Sequence, residues 1–198
     1  MIKIYFRLAL LTFTSIILTA FVIHSEFHDS NKIIIHKKNQ TVGISIVLYR
    51  VNKADKIEDL FNLEKQMNKS KSINLYKSTE DLSIIFMNTA EPYSHTKDLP
   101  YQMLYGNYVE KQIDERVING FVSTHQVISI CEWIKKNKVE SFEGFSRMYD
   151  NLSKEAKQAL EDIGADDKKG LFEGYVKPLT EFYFAALNDN NSIVICGE

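Results

Sequence analysis

The feature that most constrains this chain is a stretch of sixteen residues without a charge, Leu8 to Ile23, reading LALLTFTSIILTAFVI. Lys3 and Arg7 stand just ahead of it and no acidic residue precedes Glu26. A basic start followed by an apolar run is the order of a membrane-targeting segment. A spanning helix needs about 20 apolar residues to cross about 30 Å of hydrocarbon. Sixteen residues at about 1.5 Å each reach roughly 24 Å. Ile4, Tyr5 and Phe6 can extend the run, with Arg7 reaching back to the interface. Two readings stay open at this point. One is a secretory signal, cleaved after a small residue such as Ser25; the other is an uncleaved anchor spanning residues 4–23. A core helix is disfavoured, because the run has no polar face at helical period. The basic start predicts a cytoplasmic N-terminus and an exported domain, in the periplasm or on the inner membrane facing it.

With residues 1–25 set aside as signal or anchor and 26–42 read as a polar linker, residues 43–198 are enough for one domain with a core of its own. The chain carries 24 basic and 26 acidic residues. Removing Lys3 and Arg7 leaves 22 against 26, a net charge near −4. That balance shows no basic stripe and argues against a nucleic-acid partner. Ten tyrosines, twelve phenylalanines and only three prolines argue for an ordered, aromatic-rich interior. Cys131 and Cys196 lie far apart in sequence; an oxidising compartment permits a disulfide between them, and two buried thiols are the alternative.

The pattern of the remaining chain is α+β: one small mixed sheet packed against several helices. GISIVLYRV, residues 43–51, is apolar and β-branched and reads as a strand. Asp55 to Met67 places Ile57, Leu60, Phe61, Glu64 and Met67 at helical spacing and reads as one amphipathic helix. Ser78, with Asp81 three residues on, opens another. A loop from Pro92 to about Asp98 leads into the tyrosine-rich stretch 100–108, broken by Gly106. Val117 to Val122 reads as a strand. Ser123 and Gln126 then form a capping box, and Ser141 and Ser153 open two further helices. The third ends at Gly164 in the left-handed C-terminal position. Asp166 to Leu187 is the strongest helical pattern, and Pro178 inside it predicts a kink or break. SIVIC, residues 192–196, is apolar on both faces and reads as a strand central in the sheet.

This order resembles the YfbM-like family, a bacterial family of unknown function. The resemblance rests on the opening strand GISIVLYRV and the helix-forming stretch Tyr76–Thr89. It rests too on LPYQMLYGNYV at 99–109, GFVSTHQVISICEWIKK at 120–136, and the closing helix, turn and strand LFEGYVKPLTEFYFAALNDNNSIVIC at 171–196. It implies a single α+β domain and no established activity, so no catalytic residue carries over.

The polar cluster with most chemical content is Glu91, Tyr93, His95 and Asp98, followed by Tyr101, Tyr105 and Tyr108. A histidine between two carboxylates has the parts of a general base and its orienting group. Its spacing fits no zinc pattern, and no metal or cofactor is expected. A solvated loop ahead of a core segment explains the same residues without chemistry. Tyrosine-rich loops also serve as protein-binding anchors. Ser123-Thr124-His125 sets a hydroxyl beside an imidazole, but capping accounts for Ser123. The leading expectation is a non-enzymatic, exported or membrane-tethered binding protein acting on a protein partner. One version is an immunity protein that neutralises a periplasm-acting toxin. An envelope hydrolase working through His95 with Glu91 or Asp98, and a structural component of an envelope complex, are the alternatives.

Overall fold

The computed structural model describes residues 45–76, 78–113, 116–165 and 167–197, so the apolar run and the linker lie outside the described residues. Five strands form one sheet: β1 (Ile46–Val51), β2 (Ser72–Asn74), β3 (Asn107–Ile113), β4 (Arg116–Val122) and β5 (Ser192–Gly197), in the order β2-β1-β5-β4-β3. The α+β class expected from the sequence is the class observed. The pairing differs from the mixed sheet expected, because every ladder among the described residues is antiparallel. The reason is topological. β5 inserts at the centre, between β1 and β4, and runs opposite to both. Val47 pairs with Cys196 on one side and Ile118 pairs with Cys196 on the other. The apolar run SIVIC is thus central, as its two-sided pattern predicts, and residues 192–196 are buried throughout.

The two sheet faces are covered differently. Leu48, Val122, Ile193 and Ile195 face a large core built with the helices. These are α2 (Ser78–Met87), α3 (Leu99–Tyr105), α4 (Thr124–Asn137), α5 (Phe142–Asp150), α6 (Lys154–Ile163), α7 (Lys168–Leu171) and α8 (Lys177–Asn188). Val47, Tyr49, Val51, Ile118, Phe121, Val194 and Cys196 face the other way. They are covered by Ala54, Ile57, Leu60, Leu63 and Met67, the last two on the short helix α1 (Leu63–Lys69). Cys131 lies in the first core and Cys196 in the second. The sheet therefore separates the two thiols, and no bond joins them.

Local sequence signals account for most helix ends. Ser123 Oγ accepts from the Gln126 backbone N–H while Gln126 Oε1 accepts from the Ser123 N–H, the expected capping box. Ser141 and Ser153 accept from Gly144 and Ala156, and Gly164 ends α6 at φ +74°. The sequence predicts a kink or break at Pro178; instead the backbone stays helical from Lys168 to Asn188 and adjusts within that span. The missing N–H and the ring of Pro178 forbid a bond to the carbonyl four residues back. The chain widens into a π-helical turn at Phe172–Val176, and α8 starts with the proline in its first turn. The single helix expected over 55–67 is a correction. A 3-10 turn at Ile57–Asp59 and α1 are separated at Asn62, which sits at φ +51°. The break turns Leu60 and Leu63 inward and leaves Phe61 82% exposed.

Candidate functional site

The tyrosine-rich segment is placed by two glycines. Gly106 ends α3 at φ +67°, and a Cβ there would stand 2.7 Å from the Phe121 nitrogen. A Cβ on Gly120 would stand 1.8 Å from the Tyr105 carbonyl oxygen. Only glycines let the end of α3 lie flat on β4 and turn directly into β3. Tyr183 anchors α3 from the other side, its hydroxyl donating to the Met103 carbonyl at 2.8 Å in the core.

This packing gathers the tyrosines into one block. Tyr101 and Tyr105 stack with ring centroids 4.7 Å apart, and Tyr93 approaches Tyr105 at 5.8 Å. Tyr105 is hydrogen-bonded to Ser83 and to Tyr93. Burial, reinforced by Tyr93, holds the Tyr105 hydroxyl far above the ordinary tyrosine range. Burial also raises Tyr93 and Tyr101. The three phenols stay neutral at physiological pH, able both to donate and to accept. Tyr108 belongs to β3 and is 78% exposed. It stands opposite Gly120, where a register shift between Ile118 and Gly120 also brings in Asn119.

Tyr101, Tyr105 and Tyr108 line a cleft of about 450 Å³, together with Ile46, Ile195, Thr96, Lys97, Gln102, Gly106, Asn107 and Asn119. That volume lies in the range of sites for small ligands or an inserted side chain, roughly 300–1,000 Å³. No carboxylate and no imidazole lines it. His95 and Asp98 instead pair with each other, Nδ1 to Oδ2 at 2.9 Å, both largely exposed. Asp98 occupies the N-cap position of α3 without its side chain capping the helix. Glu91 precedes the 3-10 turn Pro92–Ser94. Its carbonyl accepts from Ser94, and its carboxylate makes no bond to His95. The expected group of seven therefore divides. Tyr93, Tyr101, Tyr105 and Tyr108 form or border the cleft, the His95–Asp98 pair stands on the loop beside it, and Glu91 stays apart.

Asn119, Ile46 and Ile195 escaped the sequence reading because they reach the cleft through sheet pairing, which no local pattern encodes. Ser123 and Thr124 are structural, while His125 is exposed, its Nε2 3.9 Å from Asp55 Oδ1. Thr124 shares a buried hydrogen bond with Ser192, and Ser192 Oγ accepts from Ala54 N–H and donates to the Ala54 carbonyl. Trp133 is a core edge, meeting Phe86 edge-on at 5.8 Å. Among the described residues no helix is long and apolar enough to cross a membrane.

No protein-family model matches the chain, and no curated protein matches it. Among solved structures it is similar to one titled the crystal structure of a protein of unknown function YfbM from Escherichia coli. The identity is 14% and the TM-score 0.46, over 77% of this chain and 99% of that one.

Proposed function

We propose that this is a non-enzymatic binding protein, exported or membrane-tethered, that holds a protein partner at its tyrosine cleft. The observation that carries the reading is the cleft itself: three tyrosines, Lys97 and a ring of amides around an apolar floor of Ile46 and Ile195, with no carboxylate or imidazole in the lining. Tyrosines give large contact area at low entropy cost and a polar tip for a partner's backbone. The uncharged run 8–23 supports an envelope location. An immunity protein against a periplasm-acting toxin is the concrete form of this proposal. Membership of the YfbM-like family, suggested by the opening strand and the closing helix, turn and strand, belongs to it as well.

The test uses the full-length chain expressed in its own cell envelope. Tyr108→Ala removes an exposed ring and Tyr101→Ala a half-buried one, and both should leave the far-ultraviolet spectrum unchanged. Each is expected to lower recovery of a crosslinked envelope partner by about tenfold, the scale of an interface anchor. Equal recovery by wild type and both variants would sink the proposal, as would protection of the domain from protease in spheroplasts. For the immunity version, a deletion strain should lose fitness beside toxin-delivering neighbours.

A second reading rests on the 2.9 Å His95–Asp98 contact, which orients an imidazole in the manner of a base and its partner. It assigns envelope hydrolysis to the loop beside the cleft. His95→Ala with undiminished activity on envelope material removes it.

A further inference from the structure

Residues 52–71, which close the thinner face, connect β1 to β2, and those two strands are antiparallel neighbours. Tyr49 stands opposite Ser72, and the Arg50 N–H donates to the Lys71 carbonyl at 3.2 Å. The sheet itself therefore holds the two ends of the segment side by side. The segment can lift without breaking a pair in any strand ladder.

Its buried polar fastening to the rest of the fold is at Ala54. Ser192 Oγ accepts from the Ala54 N–H at 2.9 Å and donates to the Ala54 carbonyl at 2.8 Å. Two further links lie at the exposed surface: Arg116 donates to Asn68 Oδ1 at 3.1 Å, and His125 Nε2 is 3.9 Å from Asp55 Oδ1. Other bonds run inside the segment. Gln66 accepts from the Asn52 N–H at 2.8 Å and donates to the Phe61 carbonyl at 2.7 Å. Asp59 accepts from the Lys56 N–H at 3.1 Å. A segment bonded to itself and attached at few points opens as a unit.

The apolar attachment is equally thin. Ile57, Leu60, Leu63 and Met67 make one layer over Val47, Tyr49, Val51, Ile118, Phe121, Val194 and Cys196. A cleft of about 450 Å³, lined by Val51, Asn52, Phe61, Gln66 and Lys69 among others, runs along the junction with the end of β1. Holding the segment down costs conformational freedom along its whole length. That single layer of contacts offsets the cost.

We propose that residues 52–71 form a strap that opens while the sheet and the helical layer stay folded. Opening uncovers an apolar face of β1, β4 and β5 that the closed state hides, with Cys196 on it. The two thiols are placed to report the motion: Cys196 lies under the strap and Cys131 in the helix-packed core. The tyrosine cleft has its floor of Ile46 and Ile195 on the other face, so the strap stands whether or not that cleft holds a partner.

The experiment labels the full-length chain with a maleimide below the unfolding transition and reads each cysteine by mass spectrometry. Rates are referred to those of the same thiols in the unfolded chain. Cys196 is expected to react at least about tenfold faster than Cys131 and with a weaker dependence on denaturant, because a local opening exposes less surface than global unfolding. Leu60→Ala removes an apolar anchor of the strap, and Ser192→Ala removes its fastening at Ala54. Each should speed Cys196 by about tenfold or more, and whichever of them keeps a cooperative unfolding transition serves. Ile85→Val, a small truncation in the helix-packed core, destabilises the closed and open forms alike. It should speed Cys131 severalfold and leave Cys196 unchanged. The proposal is overturned if both thiols react at one rate with one denaturant dependence, or if Cys196 stays unlabelled below the transition. It is also overturned if Ile85→Val speeds both thiols equally. A Cys196 rate that the strap variants leave unchanged assigns the labelling to fraying of the β5 end and overturns it too.

Discussion

The two faces of the sheet are made from the same five strands and stabilised by different means. The helix-packed face buries large side chains from every helix between α2 and α8, among them Phe145, Tyr183, Ile85 and Leu104. The other face is closed by one interrupted segment, residues 54–67, and its core is a single layer of Ile57, Leu60, Leu63 and Met67 over the strands. A dense core surrounded by rigid helices cannot collapse around a lost side chain, whereas one short segment can sink toward the sheet. The difference predicts unequal costs for comparable truncations.

Phe145→Ala should be the most damaging change. The ring is fully buried and meets Tyr149 and Phe172 at centroid distances of 6.4 and 5.9 Å, so its removal leaves a cavity fixed by α5 and the π-helical turn. The expected loss is about 3–5 kcal/mol. Met67→Ala on the other face should cost about 2 kcal/mol, because α1 can move inward. Denaturant midpoints of the two variants measure the contrast. Equal losses would mean that segment 54–67 is as rigid as the helical layer.

The same asymmetry governs how much of the fold was legible in the sequence. On the helical face the instructions are local. Ser123, Ser141, Ser153, Gly164 and Pro178 each act on backbone groups within four residues of themselves, and each sits where its chemistry predicts. On the other face the decisive residue is Asn62, whose positive φ no periodicity reveals. Ile57, Leu60 and Met67 satisfy a helical spacing and are buried, but they reach the sheet from two separate turns. The mixed sheet was a similar miss. Strand direction depends on where β5 inserts, and that is settled by tertiary pairing. For the candidate site, tyrosine content was legible and its geometry was not, since the cleft needs Gly106 and Gly120 to bring α3 onto β4.

A second measurement asks how dry the helix-packed core is. Burial pushes the Cys131 thiol up to about 11 from an ordinary value near 9, against a smaller opposing effect of Lys135. The folded protein then keeps this proton at pH values where the unfolded chain releases it. The associated stability is fully present below about pH 9 and is lost as the pH rises through about 11. A shift of two units corresponds to about 3 kcal/mol at most. Unfolding midpoints at pH 8 and pH 10.5 should fall more steeply for wild type than for Cys131→Ala, which removes this group and leaves the tyrosines in place. Parallel slopes would show that water reaches the thiol in the folded state.

The smallest effects compare how a helix starts on each face. Ser123 contributes a side-chain acceptor to α4, and its replacement by alanine should cost about 1 kcal/mol. Asn62 starts α1 without any side-chain cap; its contribution is tolerance of φ +51°. Asn62→Ala should cost about 1 kcal/mol, because a Cβ without a compensating local bond disfavours the left-handed region. Asn62→Gly should lie within a few tenths of a kcal/mol of wild type, since glycine adopts that region freely at some cost in unfolded-state entropy. The glycine variant is the informative one. A loss as large as that of Ser123→Ala would mean that the Asn62 side chain itself holds the turn between Ile57–Asp59 and α1. The less densely covered face would then be fixed by a polar contact where the helical face is fixed by a cap.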